Sequence, residues 1–367
     1  MRGVVYTGEG QAVFTDRLEV RDPGPGEVLV RLVAAGLCHT DVSVLDGTIP
    51  WPAPAALGHE GAGVVEKIGP GVTLVEPGDH IVLSTIANCG RCRSCNTGVP
   101  TRCRASIGNR TEPFTFEGRP CSNFAATSSL AEYTVISEIQ AVRIADDVPM
   151  TSACLIACGV MTGAGSVWNA ANVQRGDTAA VMGVGGVGLS AIQALTVAGA
   201  SPIIAVDTVA SKAALAQAFG ATHFVHAGDD TAEKIREIVP YAPGVTRGPF
   251  GAGGVDWVFE CSGHPAALQA AIDSLEWGGT AVAVGVPAQG TDISVAVNPM
   301  VHLDRRLIGV RYGEARPRRD IPLVIDLYRQ GRFKLDEMVS KVYPLEDWEQ
   351  AIDDMHHGRL ARGVLSF

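Results

Sequence analysis

The sequence lacks a long basic run and an apolar leader. Its 367 residues include 29 Lys or Arg and 39 Asp or Glu, which gives a formal net charge of −10. The densest basic stretch, at 316–319, is too short to follow a nucleic-acid backbone, so no nucleic-acid partner is expected. The N-terminal residues show neither the apolar segment nor the cleavage site of a secretory signal, so a cytoplasmic location is expected.

A stretch without charge lies between Asp177 and Asp207 and is long enough to cross a bilayer. Its interior predicts otherwise, because a glycine cluster is followed by an apolar helical pattern, and Pro202 then opens a β-branched run. That order is typical of a strand, a glycine turn, a helix and a second strand buried in a parallel sheet. No membrane partner is therefore expected.

Two patterns divide the chain, and its length also favours two domains. Up to about residue 145, short strands between turn signals predict an antiparallel, barrel-like half. These strands lie at 28–33, 63–68, 80–83 and 132–136. From about residue 160, apolar strands alternate with Ala-rich helices, which predicts a doubly wound parallel sheet. Its strands lie at 178–183, 202–207, 223–226, 255–260, 280–285 and 307–312. Helices near 321–330 and 345–357 and a strand at 363–367 follow.

A glycine motif at 183–188 follows one predicted strand and opens a predicted helix. Its G-x-G-x-x-G spacing, with Asp207 at the end of the next strand, predicts a dinucleotide site. Gly183 allows the tight turn, Gly185 lets the backbone approach a pyrophosphate, and Gly188 lets helix and strand pack closely. Asp207 can accept hydrogen bonds from a ribose diol and would repel a 2′-phosphate. NAD is therefore expected rather than NADP.

Nine cysteines, an odd number, disfavour a disulfide framework and point to metal binding. Four of them follow the spacing C-x2-C-x2-C-x7-C in a lobe at 89–103 that has no apolar face: Cys89, Cys92, Cys95 and Cys103. Four thiolates at this spacing can surround one Zn²⁺ tetrahedrally with no open position, which predicts a structural site. The metal would give the lobe folding free energy that burial cannot supply.

Cys38, the pair His59-Glu60 and Cys158 form a second candidate set. Their spacing does not by itself distinguish a metal site from cysteines and a histidine buried in a core, which are commoner. Their local context favours a site, because Cys38 follows a predicted strand, His59 precedes one and Cys158 lies just before the nucleotide-binding half. Two cysteines and a histidine with an open fourth position suit a zinc ion that binds an alcohol oxygen.

With these residues in place, the chain resembles the zinc-dependent alcohol dehydrogenases of the medium-chain dehydrogenase/reductase superfamily through nearly its whole length. Besides the four-cysteine lobe, the motifs are GHEGAG at 58–63, GPGV at 69–72, CGVMTG at 158–163, GVGGVG at 183–188 and GRLARGVLSF at 358–367. The resemblance implies an α/β protein in which a Rossmann domain at 160–312 is inserted into a GroES-like, β-rich catalytic domain formed by 1–159 and 313–367. It also implies a homodimer or homotetramer. The segment that begins at Cys38 is similar to the class III branch.

The resemblance implies a role for each residue of the second set and its neighbours. The implied ligands of a catalytic zinc are Cys38, His59 and Cys158. Glu60 resembles the carboxylate that can approach the metal, Asp41 the acid that hydrogen-bonds the zinc-bound histidine, and Thr40 the hydroxyl that takes the alcohol proton. The implied reaction is oxidation of a primary alcohol, with hydride passing to NAD⁺ and the proton to Thr40.

The resemblance also extends the cofactor site. His39 and Arg362 resemble residues that contact the pyrophosphate, Thr162 and Val187 pack against the nicotinamide ring, and the backbone of Val284 meets its carboxamide. Lys212 either reaches the adenosine ribose or is a solvated helix residue. The expected NAD-binding residues are Gly183, Gly185, Gly186, Val187, Gly188, Asp207, Lys212, His39, Thr162, Val284 and Arg362. Two zinc ions per chain complete the expected cofactors.

The sequence departs from the family at two places. Many relatives carry a histidine, three residues beyond the Thr40-like hydroxyl, that passes the proton to solvent. Here Ser43 stands in its place, and it either acts through water or is an ordinary surface serine. In class III relatives an acidic pair and an arginine hold the glutathione carboxylates. Thr48, Pro50 and Ile107 stand at those places here, which disfavours glutathione adducts as substrates.

The substrate is expected to be a small-molecule primary alcohol, medium-sized or aromatic. Thr85 occupies a place that is often aromatic in relatives, so a wide pocket is expected. The pocket is expected to be lined by Ile49, Trp51, Thr85, Phe116, Cys121, Phe124 and Thr127. An alternative is a formaldehyde dehydrogenase that acts on the adduct of another thiol, such as mycothiol. A non-catalytic nucleotide-binding protein is disfavoured, because the chain keeps every zinc ligand.

Overall fold

A computed structural model describes residues 1–106, 111–240 and 253–367. They form two compact units, the first of Met1–Gly159 with Arg316–Phe367 and the second of Val160–Ala315. The predicted boundary after residue 312 therefore lies slightly early. The turn Tyr312–Glu314 belongs to the second unit, because Gly313 packs closely on Gly165. A Cβ atom on Gly165 would lie 2.5 Å from the carbonyl oxygen of Gly313.

The N-terminal segment supplies most strands of the first unit. They are β1 (Gly3–Gly8), β2 (Gln11–Thr15), β3 (Leu18–Val20), β4 (Glu27–Gly36), β5 (Ala55–Ala56), β6 (Glu60–Ile68), β7 (His80–Leu83), β8 (Phe114–Phe116), β9 (Arg119–Asn123), β10 (Tyr133–Ser137) and β11 (Ala141–Arg143). Its helices are α1 (His39–Leu45), α2 (Arg93–Asn96) and α3 (Met150–Ala153). A 3₁₀ turn, Cys154–Ala157, follows α3.

The second unit alternates strands with helices. Its helices are α4 (Gly159–Gly165), α5 (Gly186–Ala198), α6 (Ala213–Ala218), α7 (Thr231–Ile238), α8 (Pro265–Asp273) and α9 (Val297–His302). Its strands are β12 (Ala179–Met182), β13 (Ile203–Asp207), β14 (His223–His226), β15 (Val255–Glu260), β16 (Leu275–Ala283) and β17 (Arg306–Gly309). The chain then returns to the first unit with α10 (Pro317–Arg329), β18 (Val339–Pro344), α11 (Trp348–His356) and β19 (Arg362–Ser366).

Strand β4 organises the first unit. It pairs antiparallel with β6, β10 and β19 in a sheet of order β11-β7-β6-β4-β19-β18. Most of its side chains are buried, so its sequence EVLVRLVAAG is nearly continuously apolar rather than alternating. A second sheet, β2-β1-β5-β9-β8-β3, consists mainly of strands of six residues or fewer. Most of these strands are too short to give an alternating sequence signal, which is why sequence analysis did not identify this sheet.

The second unit contains the predicted doubly wound sheet, which is confirmed. Its strands are parallel in the order β14-β13-β12-β15-β16-β17, and order reverses between β12 and β15. Ligands of such sheets bind outside the carboxyl ends of the strands at this reversal. Gly183, Asp207 and the end of β15 lie at those carboxyl ends.

Several element boundaries differ from the predicted ones. The strand predicted at 307–312 ends at Gly309, because the chain turns at Tyr312 and Gly313, both of which have positive φ. The helix predicted near 321 begins at Pro317, a position where proline is favoured. No single helix in the described part of the chain is long and apolar enough to span a membrane. One bent pair, Met150–Ala157 with Gly159–Ala171, meets the length and composition criteria together.

Candidate functional site

The four-cysteine lobe brings its sulfur atoms together as predicted. The ligand atoms of Cys89, Cys92, Cys95 and Cys103 all lie within 4.8 Å of one another. The Sγ atoms of Cys92 and Cys95 are 3.5 Å apart, and the backbone N–H of Cys89 donates to Sγ of Cys103 at 3.4 Å. Backbone N–H groups of Arg91 and Cys92 lower the pKa of Cys89 to about 6. Four sulfurs and N–H donors that favour thiolates fit one tetrahedral zinc ion.

A second cluster forms in the first unit from Cys38, His59, Glu60 and Cys158. One ligand atom from each lies within 4.8 Å of the others. Cys38 caps the start of α1, His59 immediately precedes β6, and Cys158 ends the 3₁₀ turn 154–157. Pairing of Gly36 in β4 with Glu60 in β6 brings the first two segments together. The arrangement depends on strand pairing, which spacing along the sequence does not reveal.

Asp41 fixes the orientation of His59. Its Oδ1 lies 2.9 Å from His59 Nδ1, and both side chains are buried. Its Oδ2 accepts a hydrogen bond from the backbone N–H of Cys38 at 3.3 Å. His59 Nε2 is buried without a hydrogen-bond partner among the described residues. An imidazole held through one nitrogen, with the other nitrogen unpartnered beside two thiols, fits a metal ligand.

Glu60 is fully buried and its charge is balanced by Arg362. The two side chains form an ion pair, and Glu60 Oε1 accepts a hydrogen bond from the backbone N–H of Gly159 at 3.0 Å. The Arg362 side chain is only 6% exposed and is engaged by this carboxylate, while its Nε is buried without a hydrogen-bond partner among the described residues, so its role as a pyrophosphate contact stays a prediction. Sequence reasoning missed the pair, since the two residues are 302 positions apart and share no motif.

The electrostatics of the cluster favour a bound cation. Burial raises the pKa of Glu60 to about 7, against the opposing effect of Arg362. A hydrogen bond from Cys158 holds the pKa of the Cys38 thiol well below its usual value. Burial alone would lower the pKa of His59, but the Asp41 carboxylate and the neighbouring thiols raise it well above its usual value. The Asp41 carboxylate and the low-pKa thiol of Cys38 therefore lie beside His59, whereas the hydrogen bond with Cys38 raises the pKa of Cys158 well above its usual value. A bound zinc ion would favour the thiolate form of both cysteines.

An aromatic wall lies beside His59. Phe124 contacts the His59 ring edge-on, with centroids 5.7 Å apart, and contacts Trp51 in the same way at 5.0 Å. Ile49 and Trp51 pack against the apolar cluster that contains Phe124. Thr85 follows β7 and is half-buried. Thr127, in the same loop as Phe124, is buried, and its hydroxyl lies 3.4 Å from the carbonyl oxygens of both Gly58 and Phe124.

Phe116 and Cys121, expected to line the pocket, are instead core residues. Both are buried in a separate apolar cluster that includes Val5, Leu18 and Phe114. Strands β8 and β9 pair antiparallel with Phe114 opposite Cys121, so Phe116 and Cys121 project from the same face of the sheet. Ile107, which stands at one of the places where class III relatives hold the glutathione carboxylates, lies outside the described residues. Thr48 is half-buried and Pro50 is exposed, and neither offers a charge to a substrate.

Helix α1 places hydroxyl groups near the second cluster. Thr40 Oγ1 lies 3.7 Å from Cys38 Sγ. Ser43 Oγ donates to the backbone carbonyl of His39 at 3.0 Å, so its proton is engaged while its oxygen can still accept. Residues 40 and 43 share one face of the helix. The exposed His39 ring lies 6.3 Å from the ring of His356, measured between centroids.

The glycine motif has the geometry that a pyrophosphate needs. Gly183 adopts a φ of +91°, and a Cβ atom on Gly188 would lie 1.9 Å from the Gly183 carbonyl oxygen. Nothing lies within 4 Å of a Cβ built on Gly185, which caps the start of α5, and Gly186 is the first residue of that helix. An open cradle at the N-terminus of a thirteen-residue helix fits the phosphates of a dinucleotide.

Asp207 ends β13 and is tied to the glycine turn. Its Oδ2 accepts hydrogen bonds from the Val184 backbone N–H at 2.7 Å and from Lys212 Nζ at 3.0 Å, and its Oδ1 accepts one from Val209 N–H at 2.9 Å. Lys212 is therefore engaged by Asp207. A carboxylate has about four lone-pair positions, so with three of them occupied about one position, on Oδ1, remains to accept from a ribose hydroxyl.

Sequence reasoning missed Glu260, which shapes the other side of the glycine turn. This buried carboxylate ends β15 and accepts hydrogen bonds from the backbone N–H groups of Ser262 at 2.7 Å and Gly263 at 3.0 Å. The Ser262 Cβ lies 3.1 Å from the position of a Cβ on Gly183. The sequence did carry a signal for Glu260, because this residue ends a predicted strand of the parallel sheet. That strand, β15, adjoins β12 where the strand order reverses, and ligands of such sheets bind at the carboxyl ends of the strands there.

The remaining cofactor candidates lie in the second unit. Thr162 in α4 and Val187 in α5 are both half-buried, and a Cβ on Gly163 would lie 2.2 Å from the Val187 carbonyl oxygen. The two helices are therefore in close contact next to the glycine turn. Val284 follows β16, and its backbone N–H donates to the Glu260 carbonyl at 2.9 Å.

Comparisons with known proteins agree with this architecture. Residues 24–146 match the alcohol dehydrogenase GroES-like domain, and residues 186–330 match the zinc-binding dehydrogenase family. An alcohol dehydrogenase class-3 of Cereibacter sphaeroides is 35% identical, over 100% of this chain and 99% of that protein. A probable S-(hydroxymethyl)glutathione dehydrogenase of Schizosaccharomyces pombe is 36% identical, over 99% of this chain and 96% of that protein. The crystal structure of benzyl alcohol dehydrogenase from Acinetobacter calcoaceticus has a TM-score of 0.89 and 36% identity, over 100% and 99% of the chains.

The parallel sheet, the glycine turn and the two cysteine-containing clusters define a zinc-binding dehydrogenase. The chain belongs to the zinc-dependent alcohol dehydrogenases of the medium-chain dehydrogenase/reductase superfamily, and it is class III-like within them. The predicted fold of GroES-like and Rossmann domains is confirmed. The predicted NAD-dependent dehydrogenase activity is likewise confirmed, with NAD and two zinc ions as cofactors.

Proposed function

We propose that the protein oxidises bulky primary alcohols, medium-sized or aromatic, to aldehydes with NAD⁺. The edge-on contact of Phe124 with both His59 and Trp51 carries this proposal. Aromatic side chains beside a metal-binding histidine suit an aromatic or long alkyl group on the alcohol carbon. The small side chain of Thr85 leaves width in the pocket. Similarity to a benzyl alcohol dehydrogenase supports the same substrate class.

We assign the chemistry as follows. Cys38, His59 and Cys158 hold the catalytic zinc, and the four cysteines of the lobe hold the structural one. Zinc supplies Lewis acidity toward the alcohol oxygen, and NAD⁺ accepts the hydride. Thr40, whose hydroxyl lies beside Cys38, accepts the alcohol proton. Ser43, on the same face of α1, relays this proton by accepting it on its oxygen while its own hydroxyl hydrogen leaves the His39 carbonyl and passes to water.

Two further residues tune this site. Asp41 keeps the tautomer of His59 that presents Nε2, and it raises the basicity of the ring. Glu60 balances the buried charge of Arg362 and orders the turn at Gly159. The glycine turn, Asp207 and Lys212 bind the NAD⁺ dinucleotide in the second unit.

A second candidate is oxidation of a thiol adduct of formaldehyde. Names of similar proteins favour it, since one is an S-(hydroxymethyl)glutathione dehydrogenase. Thr48 and Pro50 offer no charge to the carboxylates of glutathione. A thiol without those carboxylates, such as mycothiol, is therefore the better candidate.

The test is NADH formation by metal-quantified enzyme with ethanol, hexanol and benzyl alcohol, and with formaldehyde plus glutathione or mycothiol. The proposal predicts that kcat/KM rises from ethanol to benzyl alcohol and that activity is lost in Cys38→Ala and His59→Ala. A preference for ethanol would contradict it. Turnover only with a thiol present would establish the second candidate instead.

We also propose that the chain forms a homodimer or homotetramer in a reducing cytoplasm. Strand β17 is the last strand of its sheet, and the neighbouring side chains of Val297 and Val301 are 69% and 68% exposed. An open sheet edge with exposed apolar side chains favours pairing with a second copy. None of the nine cysteines, all of which lie in the described residues, forms a disulfide, which agrees with a reducing compartment.

A further inference from the structure

We propose that Gln140 is a positioning residue that sets the preference among alcohols, because it fixes the loop 124–129 that carries Phe124. The inference rests on the proposed function, since it concerns the same aromatic wall. Gln140 is only 2% exposed and precedes β11.

The loop 124–129 has a backbone that must be held in place. Ala125, Ala126 and Ser128 adopt φ angles of +49°, +59° and +52°. Residues with a Cβ atom rarely occupy this left-handed region, and they do so where surrounding contacts impose it. Phe124, at the start of the loop, takes its ring position from this backbone.

Hydrogen bonds join the loop to the strand that leads to His59. Ser128 Oγ accepts from the Phe124 backbone N–H at 2.9 Å and donates to the Ala56 carbonyl at 2.8 Å. The Ser129 backbone N–H donates to the carbonyl of Gly58 at 3.0 Å. Gly58 directly precedes His59, so this hydrogen bond fixes the position of the loop relative to the metal-binding residue.

Gln140 is the side chain that joins this loop to the opposite segment. Its Nε2 donates to the Ala126 carbonyl at 3.0 Å and to the Ser84 carbonyl at 2.9 Å. The Ser84 backbone N–H in turn donates to the Gln140 carbonyl at 2.8 Å. Ser84 directly precedes Thr85. One buried amide therefore holds both the segment that carries Phe124 and the segment that carries Thr85.

Removing this amide leaves two buried carbonyl groups without their donor. A buried acceptor without a partner is unfavourable, so the chain around Ala126 would relax toward the common backbone region. The Phe124 ring would then lose its fixed distance from His59. Aromatic alcohols depend on that ring for orientation, whereas ethanol has only one methyl group with which to contact it.

The experiment compares holoenzyme variants. Gln140→Met keeps the side-chain length and removes both donated hydrogen bonds, and Ser128→Ala removes an independent anchor of the same loop. Ser152→Ala is the control, because it deletes a partly buried side-chain hydrogen bond, to Asp336, in the same unit and makes no change in the loop 124–129. The measurements are zinc content, the ratio of kcat/KM for benzyl alcohol to that for ethanol, and amide hydrogen exchange of residues 124–130.

In Gln140→Met and Ser128→Ala, the benzyl-to-ethanol ratio should fall about tenfold from its own wild-type value, with zinc content unchanged. Exchange of 124–130 should accelerate in both, and Ser152→Ala should change neither quantity. An unchanged ratio overturns the inference, whether or not exchange accelerates, because Gln140 would then only stabilise the fold. If the wild type prefers ethanol, the proposed function fails, but a shifted ratio in the variants still supports this inference.

Discussion

At the residue scale, the carboxylate of Asp207 should decide between NAD and NADP. Its oxygens lie at the carboxyl end of β13 and contact the glycine turn, where a ribose 2′-phosphate would meet a like charge. Asp207→Asn keeps one acceptor oxygen and removes the charge. We expect the ratio of kcat/KM for NADP to that for NAD to rise about tenfold or more. An unaltered ratio would refute this role.

Asp41 should determine how tightly His59 holds zinc. Asp41→Asn retains an acceptor for His59 Nδ1 but loses the negative charge that raises the basicity of the ring. We expect the dissociation constant of the catalytic zinc to increase about tenfold or more, measured by chelator competition. Asp46→Asn, at the exposed C-terminal end of the same helix, is the control and should leave zinc affinity unaltered. Equal affinities in both variants would argue against the role of Asp41.

At the element scale, two glycines at the start of α5 have different functions, since Gly185 is expected to bind the cofactor and Gly188 allows close packing. A Cβ on Gly185 meets only open space, whereas one on Gly188 would lie 1.9 Å from the Gly183 carbonyl oxygen. Gly188→Ala should therefore destabilise the protein by about 1–3 kcal/mol, measured by denaturant unfolding. Gly185→Ala should leave stability unaffected and weaken NAD binding, because its methyl group occupies the pyrophosphate cradle. Equal NAD affinity in Gly185→Ala and wild type would place the pyrophosphate elsewhere.

The cysteine lobe should depend on its own metal ion. Cys103→Ser removes the most buried of the four sulfurs, so zinc content should fall from about two ions per chain to about one, with a lower unfolding temperature. Elemental analysis and thermal unfolding measure both effects. Cys261→Ala, which removes a cysteine outside both clusters, should keep about two zinc ions. Two zinc ions in Cys103→Ser would contradict a four-sulfur site.

Elements with a strong local signal could be predicted from the sequence. Strand β15 and the glycine turn lie where expected, because buried parallel strands are continuously apolar and the turn needs glycine. The four-cysteine lobe could be predicted because its ligands are close in sequence. Features that depend on long-range pairing could not. The Glu60–Arg362 ion pair and the hydrogen bonds of the Gln140 amide join segments that share no sequence motif. Phe116 was wrongly placed in the pocket, because an apolar residue in a sheet core and one in a pocket wall look alike in the sequence.

At the scale of the whole molecule, the free edge of the parallel sheet should mediate assembly. Val301→Asp places a charge among the exposed apolar side chains next to β17 and should shift the protein toward monomers, as measured by light scattering after size exclusion. Val342→Asp is the matched control, since Val342 is 44% exposed on strand β18 of the other unit. A monomeric wild type, or no shift in Val301→Asp, would rule out this surface.

The first unit is discontinuous in sequence, since β4 from its N-terminal segment pairs with β19 from its C-terminal segment. During translation, the continuous second unit emerges from the ribosome complete and can fold first. The first unit cannot be completed at that stage, because β4 still lacks its neighbour β19 and Glu60 lacks the guanidinium group that balances its charge. Chains released early, after residue 315, would carry a formed nucleotide fold and all the zinc ligands, but they would lack β19 and the partner of Glu60. The order of synthesis thus delays assembly of the reactive centre until Arg362 has been made.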